Sequence, residues 1–242
     1  YGEGREGNDV AIKEILCNFS GTKRSVENNL KQILSEVSML RMLEHPNIVR
    51  YRTSFAEGSR LYIVMDLVDG CNLRQYTLSN PPLKEHELLS LVRQCCSILD
   101  YLHSQNPPIV HRDFTPDNLM ISGDILKLVD FNIAQAAVTN SSQTVMGKHC
   151  FMAPEQFCGE ASVLSDLYQL GTTIFFIATA TDPEPLTSCD LQMRRPDLSS
   201  ELNLLVRKLT EREPLKRFTS ANDVLKNIES FASAGTLQDE AS

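Results

Sequence analysis

The stretch HRDFTPDNLM, residues 111–120, sets the carboxylate of Asp113 five residues ahead of the amide of Asn118, in a short polar loop running into an apolar strand. Groups of these types can take a proton from a hydroxyl or offer oxygen to a hard cation. Two other polar residues stand at the edges of apolar runs: Lys13 in DVAIKEI and Asp130 in ILKLVDFN. A lone lysine in a strand or a lone aspartate in a loop is ordinarily a solvated residue. Chemistry requires the fold to bring such groups together.

The elements that would do so read in order. DVAIKEI is a β-branched strand. Ser25 is placed as a helix N-cap, and Val26, Leu30, Ile33, Leu34, Val37, Leu40 and Leu43 recur at helical spacing over about 25–43 until His45-Pro46 ends the pattern. IVRYRTSFAEGSRLYIVMDLV is a hairpin joined at Glu57-Gly58. From LKEHELLSLVRQCCSILDYLHSQ onward the texture is helical, broken by the 111–120 loop and the short strands NLMIS and ILKLVDF. DLYQLGTTIFFIATA is apolar nearly all round, as a helix buried inside a lobe would be. Two amphipathic stretches, ELNLLVRKL and SANDVLKNIESFA, precede a polar ending, SAGTLQDEAS. The fold class is therefore α+β, strand-rich first and helix-rich afterwards, with a crevice expected where MDLVDG joins the halves.

Composition narrows the function classes. A chain of 242 residues, 42% hydrophobic, is long enough to bury one large domain or two modest lobes. The net charge of −8 and the scatter of its 23 Lys and Arg argue against a nucleic-acid surface, which needs a cationic stripe. Seven cysteines form no CxxC pair and fall mostly in apolar runs, so reduced buried thiols are expected rather than disulfides or zinc ligands. The run LGTTIFFIATA is about half of a bilayer span. No membrane segment is expected within this stretch, although the chain opens at Tyr1 and leaves room for an anchor elsewhere.

Five signals occur in one order: VAIK at 10–13, a helix carrying Glu36, HRDFTPDN at 111–118, DFN at 130–132 and APE at 153–155. This series resembles the eukaryotic-like, Hanks-type serine/threonine protein kinase family, of bacterial flavour, over nearly the whole chain. The resemblance implies a two-lobed fold, with a small antiparallel N-lobe at 1–67, a helical C-lobe at 68–232 and a solvated tail at 233–242. It also implies roles. Lys13 would neutralise the α and β phosphates of ATP, held by Glu36. Asp113 would orient the substrate hydroxyl and accept its proton. Asn118 and Asp130 would hold Mg²⁺, or Mn²⁺ in its place. Ala11 and Met120 would form the roof and floor of the adenine slot, with Met65 guarding it before the hinge Asp66-Leu67-Val68, and Asn72 beside it. His111 and Arg112 would frame the loop, with Arg112 matching an arginine that pairs with a phosphorylated activation segment. Asp166 and Gly171 match the helix that anchors this loop, and Arg217 the arginine that pairs with Glu155.

Four departures stand against the family pattern. GEGREG matches a glycine-rich phosphate loop at Gly2, Gly4 and Gly7, but Lys13 follows too soon for the intervening strands. It reads as the turn before the lysine strand, and the first strands of the N-lobe are expected to be missing, as in an N-terminal truncation. Thr115 stands where the family carries lysine, and Lys148 where it carries the threonine that this lysine contacts. An ammonium and a hydroxyl have changed places, so Lys148 would supply the cation to the γ-phosphate. DFN replaces DFG, with Asn the side-chain-bearing residue that best tolerates left-handed backbone. TDPEPLTSCDLQMRRPDLSS is short for a substrate-docking helix.

Three functions compete. An ATP-dependent serine/threonine kinase acting on protein hydroxyls is supported by Lys13, Asp113 and Asp130 together and by Pro116, with Thr139, Ser141, Ser142 and Thr144 as phosphorylation sites in the activation segment. A pseudokinase, binding nucleotide or serving as a scaffold, would explain the absent phosphate loop, Thr115 and Asn132. A small-molecule phosphotransferase would lack the APE segment. A cytoplasmic location, or the cytoplasmic part of an anchored kinase, follows from the first.

Overall fold

The computed structural model describes residues 2–3, 9–16, 37–57, 60–131 and 149–239. Glu36, Asn132, Lys148, the four candidate phosphorylation sites and most of the helix expected from Ser25 lie outside the described residues.

Strands β1 (Gly2–Glu3), β2 (Asp9–Leu16), β3 (Tyr51–Glu57) and β4 (Arg60–Asp66) form an antiparallel sheet in the order β1-β2-β4-β3. Gly2 and Glu3 pair with Val10 and Asp9, so the glycine-rich stretch leads directly into the lysine strand. The register sets Ala11 opposite Met65, Lys13 opposite Ile63 and Ile15 opposite Leu61. Opposed residues share a face. Leu61, Ile63 and Met65 are buried, so Lys13 rises from the core-facing side of the sheet, where an ammonium requires an anionic partner.

Val37, Leu40 and Leu43 are buried at helical spacing, and the helical stretch described at 37–40 gives way to turns before His45-Pro46. The segment after it is tied to the helical half. Val49 N–H donates to Leu128 O at 2.9 Å and Leu128 N–H to Asn47 O at 2.8 Å. Asn47 also donates to Gln94 and to Leu126 O, both at 2.8 Å. These bonds fix the strand-rich lobe against the second one.

That second lobe contains β5 (Cys71–Asn72), β6 (Leu119–Ser122) and β7 (Ile125–Leu128) as a small sheet, with helices α1 (Leu73–Ser79), α2 (Glu85–His103), α3 (Val163–Thr179), α4 (Ser200–Leu209) and α5 (Ala221–Asp239). Residues 165–178 of α3 are all buried, as the apolar run foretold. At Gly171 a Cβ would stand 2.6 Å from Leu209 Cβ and 2.8 Å from Thr210 Cγ2, so this helix approaches the end of α4 too closely for a side chain. Residues 180–199 contain no helix, in keeping with the short docking region expected there. α5 runs on to Asp239, into the stretch expected as a tail from 233, where Ala, Leu and Gln are helix formers and no proline intervenes.

Cys95, Cys96, Cys150 and Cys189 are buried free thiols, whereas Cys71 is half-buried and Cys158 exposed. Burial pushes the Cys95 and Cys189 thiols up to about 12 and Cys150 up to about 11, which suits inert packing groups. Among the described residues no helix is long and apolar enough to cross a membrane.

Candidate active site

The foundation of the site is a buried acid. Asp166, in the first turn of α3, has no solvent exposure. An isolated carboxylate there would be costly. It is satisfied by the backbone N–H groups of His111 and Arg112, each at 2.8 Å, and by His103 Nε2 at 2.9 Å. Gln169 and Thr173, one and two turns along the same helix face, continue the job. Gln169 accepts the Phe114 N–H at 2.9 Å and donates to Arg112 O at 2.9 Å, while Thr173 Oγ1 donates to Phe114 O at 3.0 Å. Arg112 adopts φ 68°, a left-handed conformation that costs a side-chain-bearing residue free energy. The bonds from Asp166, Gln169 and Gln156 to its peptide groups hold it there.

On this frame Asp113 and Asn118 face one another. Asn118 Nδ2 donates to Asp113 O at 2.7 Å and to Asp113 Oδ2 at 2.9 Å, and both residues are buried. With Nδ2 turned to Asp113, Asn118 Oδ1 is the atom left for a cation. Thr115 N–H closes the turn onto Asp113 O at 2.9 Å. Its side chain is 1% exposed, and Oγ1 has no hydrogen-bond partner among the described residues.

Asp130 arrives from β7. Its backbone oxygen is 2.7 Å from His111 Nε2, and its carboxylate forms an ion pair with the Lys13 ammonium, joining the two lobes. Phe131 lies between Tyr51 and His111, with ring centroids 6.0 and 5.1 Å away. Burial, and after it the Asp130 charge, raises the Tyr51 phenol above its ordinary value. Lys13, Asp113, Asn118 and Asp130 thus belong to one linked cluster.

The expected adenine slot is built from two pairs. Ala11 faces Met65 across β2 and β4, and Asn72 faces Met120 across β5 and β6. Val68 packs against the core between them in sequence. Asp66 donates its backbone N–H to Arg50 O at 3.0 Å, and its carboxylate pairs with Arg52. Asn72 Oδ1 also accepts the Gln75 N–H at 2.8 Å and so caps α1, while its second lone pair and its amide nitrogen stay open to a ligand. A cavity of about 520 Å³ lies beside the hinge, lined by His45, Arg50, Asp66, Val68 and Lys127 among others. It includes none of Lys13, Asp113, Asn118 or Asp130 and so lacks the groups for phosphoryl chemistry. Glu36 and Lys148 fall outside the described residues.

The donor set fits a hard divalent cation. Among the described residues no three His, Cys, Asp or Glu side chains form a metal cage. Mg²⁺ needs none, because it favours one or two protein oxygens with phosphate and water completing the shell. Glu155, at the end of the APE stretch, is bound by Arg217 through two parallel bonds of 2.7 and 2.9 Å, as the resemblance implied. His103, the last residue of α2, is the side-chain partner of buried Asp166. Arg74, which bonds Asp117 within the 111–120 loop, carries no motif that could have singled it out.

Residues 3–228 match the family described as protein kinase domain. The chain is 30% identical to a probable serine/threonine-protein kinase PknB of Lactococcus lactis, over 90% of this chain and 37% of that protein. It is 29% identical to the serine/threonine-protein kinase PrkC of Bacillus subtilis, over 96% of this chain and 38% of that protein. The chain thus spans less than two fifths of the length of these relatives. In fold it is similar to the PknI kinase domain of Mycobacterium tuberculosis, with a TM-score of 0.72 at 24% identity, covering 91% of this chain and 85% of the other. Rad53 in complex with AMP-PNP gives a TM-score of 0.71 at 23% identity, covering 91% of this chain and 58% of that one.

Proposed function

Because the chain belongs to the protein kinase domain family, we propose that it is an ATP-dependent serine/threonine kinase, moving the γ-phosphoryl group to hydroxyls of protein substrates and of its own activation segment. Residues 1–67 serve as its N-lobe and 68–232 as its C-lobe. The observation that carries this reading is the contact between Lys13 and Asp130, residues 117 apart, beside the loop that holds Asp113 and Asn118.

Each group then has a task. Lys13, strand-borne and 27% exposed at its side chain, exchanges Asp130 for the phosphates of ATP. Asp130 and Asn118 Oδ1 hold Mg²⁺, or Mn²⁺ in its place, which when bound neutralises charge developing on the phosphoryl oxygens. Asp113, oriented by Asn118, directs the incoming hydroxyl and takes its proton. Ala11, Met65 and Met120 enclose the adenine, the hinge at Asp66 and Val68 offers it backbone groups, and the Asn72 amide nitrogen lies toward the ribose. Glu36 steadies Lys13. The substrates lie in the cytoplasm.

The exchange of Thr115 and Lys148 is part of the same reading. A cation beside the γ-phosphate comes from Lys148, and the buried, unpartnered Thr115 hydroxyl supports a partner for it from outside the described residues. Thr115→Lys or Lys148→Thr alone should then lower transfer more than the double exchange. Equal rates in all four proteins would sink this part.

The direct test is transfer of labelled γ-phosphate to the protein itself and to a generic basic protein, with a chain extended upstream and Asp130→Asn as control. Transfer abolished by the control supports the kinase reading. Nucleotide binding without transfer overturns it in favour of a pseudokinase.

A further inference from the structure

Arg74 lies in the first turn of α1, outside the catalytic groups. Its Nε faces both carboxylate oxygens of Asp117 at 3.0 Å, and Nη1 donates to Asp182 at 2.8 Å. The guanidinium carbon sits 4.5 Å from the centre of the Phe176 ring and 5.4 Å from that of Phe151. Four residues from three separate parts of the chain meet on this one cation. Asp117 stands between Asp113 and Asn118; Phe176 lies near the end of α3 and Asp182 just beyond it; Phe151 leads into the APE stretch.

An exposed ion pair contributes little by itself. A planar cation that serves two carboxylates and stacks on two rings is different, because its fork and its flat faces are both used and an ammonium cannot reproduce them. The side chain is 24% exposed, against 51% for Asp182, so one edge of the cradle is open to water.

We propose that Arg74 is a positioning residue for phosphoryl transfer: by fixing Asp117 it holds the Asp113–Asn118 turn in register with Phe151 and the end of α3. This rests on the kinase reading. Arg74 touches no substrate, yet the chemical step depends on it, since a small misplacement of a reacting group is costly. The cradle left by removing the side chain, two carboxylates and two ring faces, has the shape and charge to take a free guanidinium ion.

The test compares wild type, Arg74→Ala, Arg74→Lys and Asp117→Asn for kcat, KM for ATP and Tm, with and without methylguanidinium. Arg74→Ala should lose kcat by about tenfold to a hundredfold. KM for ATP should stay within about twofold, because the phosphate and adenine contacts lie elsewhere. Methylguanidinium should restore most of the lost kcat in Arg74→Ala and do nothing for Asp117→Asn, which lacks its anchor. Arg74→Lys should remain slow. A wild-type kcat in Arg74→Lys or Asp117→Asn overturns the proposal, and those near-isosteric variants decide it should Arg74→Ala not fold. So does a folded Arg74→Ala that methylguanidinium cannot revive. A wild-type chain without any transfer sinks the kinase reading instead. The clamp is then read from hydrogen exchange at the Thr115 and Asn118 amides, where rates unchanged in Arg74→Ala would end it.

Discussion

Glu155 with Arg217, and Lys13 with Asp130, are both ion pairs between distant parts of the chain, separated by 62 and 117 residues. The first is enclosed, with side chains 10% and 0% exposed, and nearly every proton is placed. Arg217 gives two bonds to Glu155 and others to the backbone oxygens of Leu164, Glu211 and Arg212; Ser165 donates to the same carboxylate, and the guanidinium lies 4.9 Å over the Tyr168 ring. The second pair is open, at 27% and 38%, and joins one ammonium hydrogen to one carboxylate oxygen. The first contact is saturated and dry. On the proposed kinase reading the second trades partners with a phosphate and a cation, and it is left wet and singly bonded.

Substitution at each pair should separate the two designs. Arg217→Ala strands the Glu155 carboxylate in a buried place, and urea unfolding should show a loss of about 3–5 kcal/mol. A loss under about 1 kcal/mol would put this pair in the same class as the open one. The scaffold around it can be probed at Gly171, where Gly171→Ala drives a methyl group against Leu209 and Thr210. Overpacking of this kind should lower stability by about 1–3 kcal/mol, with KM for ATP unchanged.

Lys13→Met should change stability by no more than about 1 kcal/mol. Its nucleotide affinity, measured by calorimetry, should nonetheless fall steeply, because the phosphates lose their ammonium. A stability loss equal to that of Arg217→Ala would remove the contrast.

The smallest effect is a dependence on pH. Burial by itself would raise the Glu155 carboxyl, but the bonds from Arg217 and Ser165 outweigh it and hold the group below its usual range. A depressed acid adds stability that is complete above its unfolded value and is lost as the pH falls through the folded one. The urea midpoint of wild type should therefore drop on acidification below about pH 4.5, and less so in Glu155→Gln. Parallel profiles in the two proteins would mean that the pair contributes nothing to acid sensitivity.

Much of the scaffold could be read in advance because its signals are local. The β-branched run marked β2, the two extended segments meeting at Glu57-Gly58 marked β3 and β4, and the unbroken apolar run marked α3, whereas the partners of Asp166, Glu155 and Arg217 came from the family resemblance. The pairings of Arg74, His103 and Tyr51 were not legible. They depend on residues 43 to 108 positions away, and an arginine in LRQY or a histidine in DYLH looks like any solvated residue until the chain folds. Asn72 shows a role that the resemblance did not name: its place directly before Leu73 makes it the cap of α1.

The rate of γ-phosphate transfer per folded molecule of Asp130→Asn bears most directly on the claim that this acid works rather than supports. Transfer should fall by about a thousandfold or more, as removal of a group acting on the transition state does, while the melting temperature stays close to that of wild type. Undiminished transfer, or a melting temperature that collapses as in Arg217→Ala, would contradict it.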